Sequence, residues 1–367
     1  MAESSRSDRE RRYLRLACRL ARKAAGRTSP NPIVGAVLVR GGKIVGTGYH
    51  RKAGGDHAEI VALKAAGTKA KGATLYITLE PCSHYGRTPP CADSLIRAGI
   101  KTVVAGMSDP NPRVAGRGFT KLRRAGIKVQ VGVCEAECRQ SLEAFAKFIT
   151  RRVPFVTLKL AATLDGKIAT ASGDSRWISG AASRARVHRW RNEMDAVLVG
   201  VETVRADDPQ LTCRLAGGRN PFRVVLDSRL RISLTAQLLR QKDSEKTIIA
   251  TTVKASAAKI RAVEALGAQV WPLPARDDRI AWQPLLKKLA AQGVVSVLIE
   301  GGAAVAASAL KNNIVDKVEF FYAPKIVGGD GRAMIGALAI SKMARAIQLQ
   351  NLTMCRSGDD VWVTGYF

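Results

Sequence analysis

One combination constrains this chain more than any other: His57-Ala58-Glu59, then Pro81-Cys82, then Cys91 after eight intervening residues. One imidazole and two thiols are the ligands a catalytic zinc uses while a fourth position stays open to water. A helix starting near His57, with Asp56 as its N-cap, would aim the imidazole and the Glu59 carboxylate into one pocket. Zinc lowers the pKa of its water to about 7, and Glu59 is then free to carry protons between that water and a leaving group. Taken singly, a His near a helix is usually structural and a buried Cys usually behaves as a small hydrophobe. All four residues together favour a metal. Gly86, Pro89 and Pro90 are loop formers, so the segment between the two Cys can turn back and bring both sulfurs to one ion. Cys91 opens the apolar run Ala92, Leu95, Ile96, Ala98. It therefore sits at a helix N-terminus, which favours a thiolate.

A chain of 367 residues is long enough for two domains with their own cores, and 46% apolar content is ordinary for a globular protein. No apolar run reaches the ~18 residues that span a membrane. Residues 1–12 are polar and charged, with no apolar signal core, and are expected to form a disordered tail. Seven cysteines are an odd number in a long chain without a signal. A disulfide framework is not expected, and the compartment is read as cytoplasmic. Cys134 and Cys138 have the spacing of a metal or redox pair, but no partner ligands lie nearby, so packing along one helical turn is the preferred reading. The net charge of +29 raises nucleic-acid binding as an alternative. The cations are spread over both halves, however, and aromatic residues make up only 5%. No basic, aromatic-rich strip for stacking single-stranded bases is present.

Along the first half, Tyr13, Leu16, Ala17, Leu20, Ala21 and Ala24 recur at helical spacing. Pro30-Asn31-Pro32 ends that helix. Val34–Val39 and Ile44–Tyr49 flank Gly41-Gly42 as a hairpin. Strands at Thr74–Leu79, Thr102–Gly106 and Lys128–Val133 alternate with helices, which predicts a three-layer α/β sandwich over 13–150. A helix over Ala136–Ile149 precedes the break Arg151-Arg152-Val153-Pro154, where the domain boundary is placed. The second domain, 154–367, is again α/β. Its expected strands are Phe155–Ala161, Ala196–Val201, Phe222–Asp227, Thr247–Thr252, Val294–Glu300 and Lys317–Ala323. It has no Gly-x-Gly-x-x-Gly. Instead Val294–Ile299 runs into Glu300-Gly301-Gly302 and a helical stretch, an arrangement that can hold a phosphate on backbone N–H groups. Gly-Gly also serves as a plain turn.

His-x-Glu with Pro-Cys resembles the zinc nucleobase-deaminase signature, but that pattern has two residues between its cysteines, not eight. The longer spacing fits one family. Pro30-Asn31-Pro32, Val34-Gly35, His57-Ala58-Glu59, Pro81 to Cys91, Asp109-Pro110-Asn111-Pro112 and Val114-Ala115-Gly116-Arg117-Gly118 resemble the bifunctional riboflavin-biosynthesis deaminase/reductases. So do Leu158–Ala161, Ala171–Ile178 and Thr203–Thr212, in the reductase half.

The resemblance implies a cytidine-deaminase-like domain followed by a dihydrofolate-reductase-like one, with one zinc and NADPH as cofactors. The substrate would be a phosphorylated pyrimidine ribosylamine. Its family matches give Asn31, His84 and Arg87 to the deaminase substrate. They give Ala161, Trp177, Thr203, Asp207, Ser228 and Gly302 to the cofactor. Lys159, Ser175, Arg191, Leu211, Arg214 and Glu300 fall to the reductase substrate. Without it, Asn31 would be a turn residue, Trp177 core, Arg191 a solvated helix face and Asp207 a helix-end charge. The chain is expected to act as a homo-oligomer, with no specific nucleic acid and no membrane. The competing reading is a tRNA-type deaminase joined to an unrelated reductase-like domain.

Overall fold

The computed structural model describes residues 2–83, 90–112 and 114–367, with side chains from residue 7 onward. The chain divides into two compact units, Met1–Arg152 and Val153–Phe367.

Unit one carries strands β1 (Gly35–Arg40), β2 (Lys43–Tyr49), β3 (Thr74–Leu79), β4 (Thr102–Met107) and β5 (Lys128–Val131) in one sheet of order β2-β1-β3-β4-β5. β1 runs antiparallel to β2 and β3, while β3, β4 and β5 are parallel. Its helices are α1 (Ala2–Arg22), α2 (Ala58–Ala66), α3 (Cys91–Arg97), α4 (Arg117–Arg124), α5 (Glu135–Ser141) and α6 (Glu143–Arg151). Glycines decide how closely α1 and α2 approach the sheet. A Cβ on Gly35 would lie 2.0 Å from the Ala17 carbonyl oxygen of α1, and one on Gly48 would lie 2.3 Å from that of Ala58 in α2. Gly35 pairs with Tyr49 and Ala36 with Gly48, so Gly35 and Gly48 face opposite sides of the pleat. The two helices therefore cover opposite faces, which gives the expected three layers.

Several expectations change. The segment expected as a disordered tail is helical from Ala2, and within it Glu10 is buried. Among the described residues upstream of Tyr13, no apolar one marks the inner face of α1; that place is taken by Glu10, whose carboxylate accepts from Gln130 Nε2 at 2.9 Å. Asp56 does not cap α2. His57 occupies the N-cap position, and Asp56 pairs with Lys64 at 2.6 Å. The helix expected over 136–149 is two helices, α5 and α6, broken at Leu142. Cys138 is buried, in agreement with the packing reading preferred for it. Its sulfur lies 3.6 Å from that of Cys18 in the buried core.

Unit two is built on a nine-stranded sheet. Its strands are β6 (Phe155–Thr163), β7 (Ala196–Gly200), β8 (Phe222–Leu226), β9 (Thr247–Thr252), β10 (Gln269–Leu273), β11 (Ser296–Ile299), β12 (Lys317–Ala323), β13 (Gln350–Ser357) and β14 (Asp360–Tyr366). The spatial order is β10-β9-β8-β7-β11-β6-β12-β14-β13. Every pairing from β10 to β12 is parallel, and β14 and β13 close one edge antiparallel. β7 and β9 are buried along their whole length, as parallel strands covered on both faces must be. The helices are α7 (Ala181–Glu193), α8 (Val201–Asp207), α9 (Ala257–Glu264), α10 (Trp282–Ala291) and α11 (Ala303–Lys311). Strand β10 and the β13–β14 hairpin were not expected from the sequence. β10 carries a proline, and β13 is exposed along nearly its whole length, so neither shows a clear apolar period.

The close approach at Gly48 is testable. Gly48→Ala forces its methyl against α2 and is expected to destabilise unit one by ~1–3 kcal/mol, the usual cost of overpacking. Urea unfolding followed in the zinc-site unit measures this. An unchanged midpoint would mean that α2 is not held that close.

Candidate functional site

In unit one, three elements converge. His57 caps α2, Cys91 is the first residue of α3, and Cys82 lies just beyond the carboxyl end of β3. The His57 Nδ1 lies 3.7 Å from the Cys82 sulfur and 3.3 Å from the Cys91 sulfur. All three ligand atoms fall within 4.8 Å of one another. Zinc–sulfur and zinc–nitrogen bonds of about 2.3 and 2.0 Å at tetrahedral angles put such atoms about 3.6 Å apart. The donor set and spacing therefore fit zinc without rearrangement. The eight-residue separation is closed by backbone: the Cys91 N–H donates to the Cys82 sulfur at 3.3 Å, and the Ala92 N–H to the Cys82 carbonyl at 3.1 Å.

The site is electrostatically tense. The Cys82 thiol is held at about 4, chiefly by the Cys91 side chain and then by His57. The same contact, together with burial, pushes Cys91 up. As ligands of one zinc both sulfurs would be thiolates, which the place of Cys91 at a helix N-terminus also favours. His57 is raised, first by its hydrogen bond to Cys82. Glu59, in the first turn of α2, is only 3% exposed. Burial, and next the Cys82 charge, raise its carboxyl to about 7. Asn31 turns its Nδ2 toward His50 Nε2 at 3.4 Å, and His50 stands edge-on to the His57 ring. His84 and Arg87 lie outside the described residues.

In unit two, a cleft of about 1270 Å³ opens at the carboxyl ends of the parallel strands, where open α/β sheets keep ligands. It is lined by all twelve residues the resemblance points to: Lys159, Ala161, Ser175, Trp177, Arg191, Thr203, Asp207, Leu211, Arg214, Ser228, Glu300 and Gly302. Arg191 on α7 grips Glu300, just past β11, through Nε to Oε1 at 2.8 Å and Nη2 to Oε2 at 2.9 Å. Burial would raise the Glu300 carboxyl, but the Arg191 charge and hydrogen bonds, with Lys159 behind them, hold it below its ordinary value. Lys159 is lowered by burial, partly offset by Glu300. Arg191 is thus no solvated helix face. Trp177 is no core residue either: it is 62% exposed and carries the Arg184 guanidinium 4.7 Å above its ring. Asp207 ends α8 and also faces the cleft. Gly302 caps α11, whose first-turn N–H groups have no partner within the helix.

Further lining residues were not expected from the sequence: Arg176, Arg184, His188, Arg229, Arg231 and Arg332. Part of the signal was present, since Arg184, His188 and Arg191 recur at spacings of four and three, one face of a helix. The lining carries nine Lys and Arg side chains against five carboxylates, a balance suited to phosphorylated ligands.

Residues 7–107 match the family model "Cytidine and deoxycytidylate deaminase zinc-binding region", and residues 154–363 match "RibD C-terminal domain". A riboflavin biosynthesis protein RibD of Aquifex aeolicus is 45% identical over 96% of this chain and 97% of its own length. The solved structure of Acinetobacter baumannii RibD superposes with a TM-score of 0.88 at 37% identity, covering 98% of this chain and 99% of that one. A Thermotoga maritima structure described as a diaminohydroxyphosphoribosylaminopyrimidine deaminase/5-amino-6-(5-phosphoribosylamino)uracil reductase gives 0.86 at 38% identity, with 98% and 99% covered. These matches span both halves, so the second is not an unrelated appendage and the tRNA-type reading falls.

Two substitutions probe the sites. Cys91→Ser is expected to leave zinc well below one per chain by metal analysis, and full retention would remove Cys91 from the ligand set. Glu300→Ala strands the Arg191 charge in a buried wall, and unit two should lose about 3–5 kcal/mol on denaturant unfolding. With a deaminase zinc-binding region in one half and a RibD reductase domain in the other, the chain belongs to the RibD family of riboflavin-biosynthesis deaminase/reductases.

Proposed function

We propose that unit one hydrolytically deaminates 2,5-diamino-6-ribosylamino-4(3H)-pyrimidinone 5′-phosphate, and that unit two reduces the ribosyl group of the product to ribityl with NADPH. The observation that carries the first half is Glu59, buried beside the His57–Cys82–Cys91 group with its carboxyl near 7. One zinc per chain, held by those three residues, would supply the Lewis acidity that makes water nucleophilic near neutral pH. Glu59 takes one proton of the attacking water and passes it to the ring nitrogen, then takes the second from the new hydroxyl and gives it to the amino group, which departs as ammonia while the carbonyl forms. A carboxyl poised near the working pH can both accept and return a proton. Asn31, His84 and Arg87 hold the substrate, the arginine through its fork on the 5′-phosphate.

In unit two, Trp177, Thr203, Asp207, Ser228, Gly302 and Ala161 receive NADPH, and the α11 N-terminus accepts a phosphate. Ser175, Arg191, Leu211, Arg214 and Glu300 hold the ribosyl substrate, with Lys159 beside the carbon that takes the hydride. The protein's part is to orient nicotinamide against sugar. Support comes from all twelve residues lining one cleft with a cationic balance.

Every cysteine is unpaired, and among the described residues no helix is long and apolar enough to cross a membrane. Free thiols and NADPH chemistry fit the cytoplasm. A homo-oligomer fits the outer strand β13, where Leu352 and Met354 are 54% and 69% exposed.

The two activities should separate by mutation. Glu59→Ala removes a proton carrier but no ligand, so zinc should stay while ammonia release falls by ~10²–10⁴. Reduction of supplied deaminated intermediate should continue. Asp207→Ala should do the converse. If Glu59→Ala abolished both reactions in folded, zinc-loaded protein, the two-site reading would be wrong. The basic excess is assigned to no specific nucleic acid. Selective RNA binding with base deamination that survives physiological salt, where counterion release weakens unselective contacts, would overturn that.

A further inference from the structure

Glu80 is buried, only 4% exposed, and neither proposed reaction uses it. It joins β3 to Pro81-Cys82. Its Oε2 accepts the N–H of Asp109 at 3.1 Å and of Gly116 at 2.9 Å. Its Oε1 accepts the N–H of Gly118 at 2.8 Å and of Phe119 at 3.3 Å. Two donors on each oxygen satisfy the acceptor capacity of an ionised carboxylate. The charge also stands at the N-terminus of α4, the favourable end of the helix dipole.

The four donors lie within 109–119, which holds the two motifs, Asp109–Pro112 and Val114–Gly118, that have no role in either proposed reaction. That segment is closed on itself. Asp109 Oδ1 takes the Asn111 N–H at 2.8 Å, and the Asn111 carbonyl takes those of Val114 and Ala115, each at 2.9 Å. Gly116 sits at φ +77°, and a Cβ on Gly118 would lie 2.1 Å from the Pro81 carbonyl oxygen. The segment therefore presses directly on the residue before Cys82. From the other side, Cys82 is held by the N–H groups of Cys91 and Ala92.

We propose that Glu80 is a positioning residue of the metal centre. By folding 109–119 around its carboxylate it fixes Pro81, and so holds the Cys82 sulfur at ligand distance from His57. This rests on the zinc reading of the site. Partners one layer behind a ligand commonly control metal affinity in this way. Glutamine keeps the shape of Glu80 but turns an NH2 group against two of the four donors. Glu80→Gln therefore opens the nest without removing a ligand, and Gly118→Ala strains the same contact from the opposite side with Glu80 intact.

The test uses the full chain. Zinc affinity is measured by competition with a chromophoric chelator, the thiolate-to-metal absorption is read after cobalt substitution, and the fold of metal-free protein is followed by near-ultraviolet circular dichroism. Both variants should bind zinc ~10–100-fold more weakly and shift or weaken the cobalt band, while the metal-free fold and the reduction by unit two are kept. Zinc affinity within twofold of the parent with an unchanged cobalt band, whatever happens to denaturant stability, would make Glu80 merely structural and sink the proposal. If Glu80→Gln gives no folded chain, Gly118→Ala decides by the same readings. A parent chain that binds no zinc would instead overturn the zinc reading itself.

Discussion

A carboxylate taken out of water must be given donors or a counter-charge, at a cost of several kcal/mol if it is not. Three glutamates in this chain meet that demand differently, and much of both units is arranged around them. Glu80 is given four backbone N–H groups. Glu300 is given the two-pronged guanidinium of Arg191. Glu59 gets weaker help, a backbone N–H and the Cys91 side chain, and burial together with the Cys82 charge outweighs both. The first two have specific partners on both oxygens. The third stays able to exchange a proton near neutral pH, and it is the one that sits against the metal ligands. A fully satisfied carboxylate there would be a poor proton carrier, since protonation would have to displace a donor already bound to it.

The sheets explain why the chemistry sits where it does. In unit one the parallel strands β3 and β4 deliver Glu80–Cys82 and the Asp109 turn at their carboxyl ends, beside the first turns of α2, α3 and α4. In unit two the ends of β6, β7, β8 and β11 deliver Ala161, Val201, Ser228 and Glu300–Gly302 to one cleft. Strand ends and helix starts leave backbone N–H groups unpaired, which suits anionic and polar ligands. Short connections there can diverge without disturbing the buried strands.

What the sequence made legible follows from what local patterns encode. The clustering of His57, Cys82 and Cys91 and the break near Arg152 were readable because each depends on residue type and spacing within a short stretch. A continuous apolar run gave β7, and β-branched and aromatic residues gave β9 and β12, nearly to the residue. The errors fall where distant partners decide. The first twelve residues read as a tail because charge dominates them, yet the core of unit one buries Glu10 in a helix. Packing was the preferred reading for Cys138, but that its neighbour in the core is Cys18, far away in sequence, no local pattern could show. The β13–β14 hairpin, exposed on its outer strand, carries no apolar alternation to find. Arg191 and Trp177, taken alone, would have been placed the wrong way round, one in solvent and one in the core. Only the opposing Glu300 and the stacked Arg184 show why burial favours the arginine.

The large positive charge becomes more intelligible once burial is known. Cations in a concave wall act on a ligand through low-dielectric surroundings, where fields are focused rather than screened. Nine of the basic residues line the cleft of unit two, and at least four of those make contacts that limit their freedom: Arg191 to Glu300, Arg231 to Glu202, Arg176 to the Asp207 carbonyl, and Arg184 to the Ser179 carbonyl and the Trp177 ring. With nine cations against five carboxylates in the lining, a ligand carrying phosphates enters a region already positive. By contrast, Arg12, Arg19 and Arg22 on α1 and Lys23 just beyond it stand exposed, where salt screens each of them and unselective attraction is all they can offer. A chain-wide count of +29 therefore merges two populations with different consequences, and the one that bears on chemistry is the smaller, enclosed one.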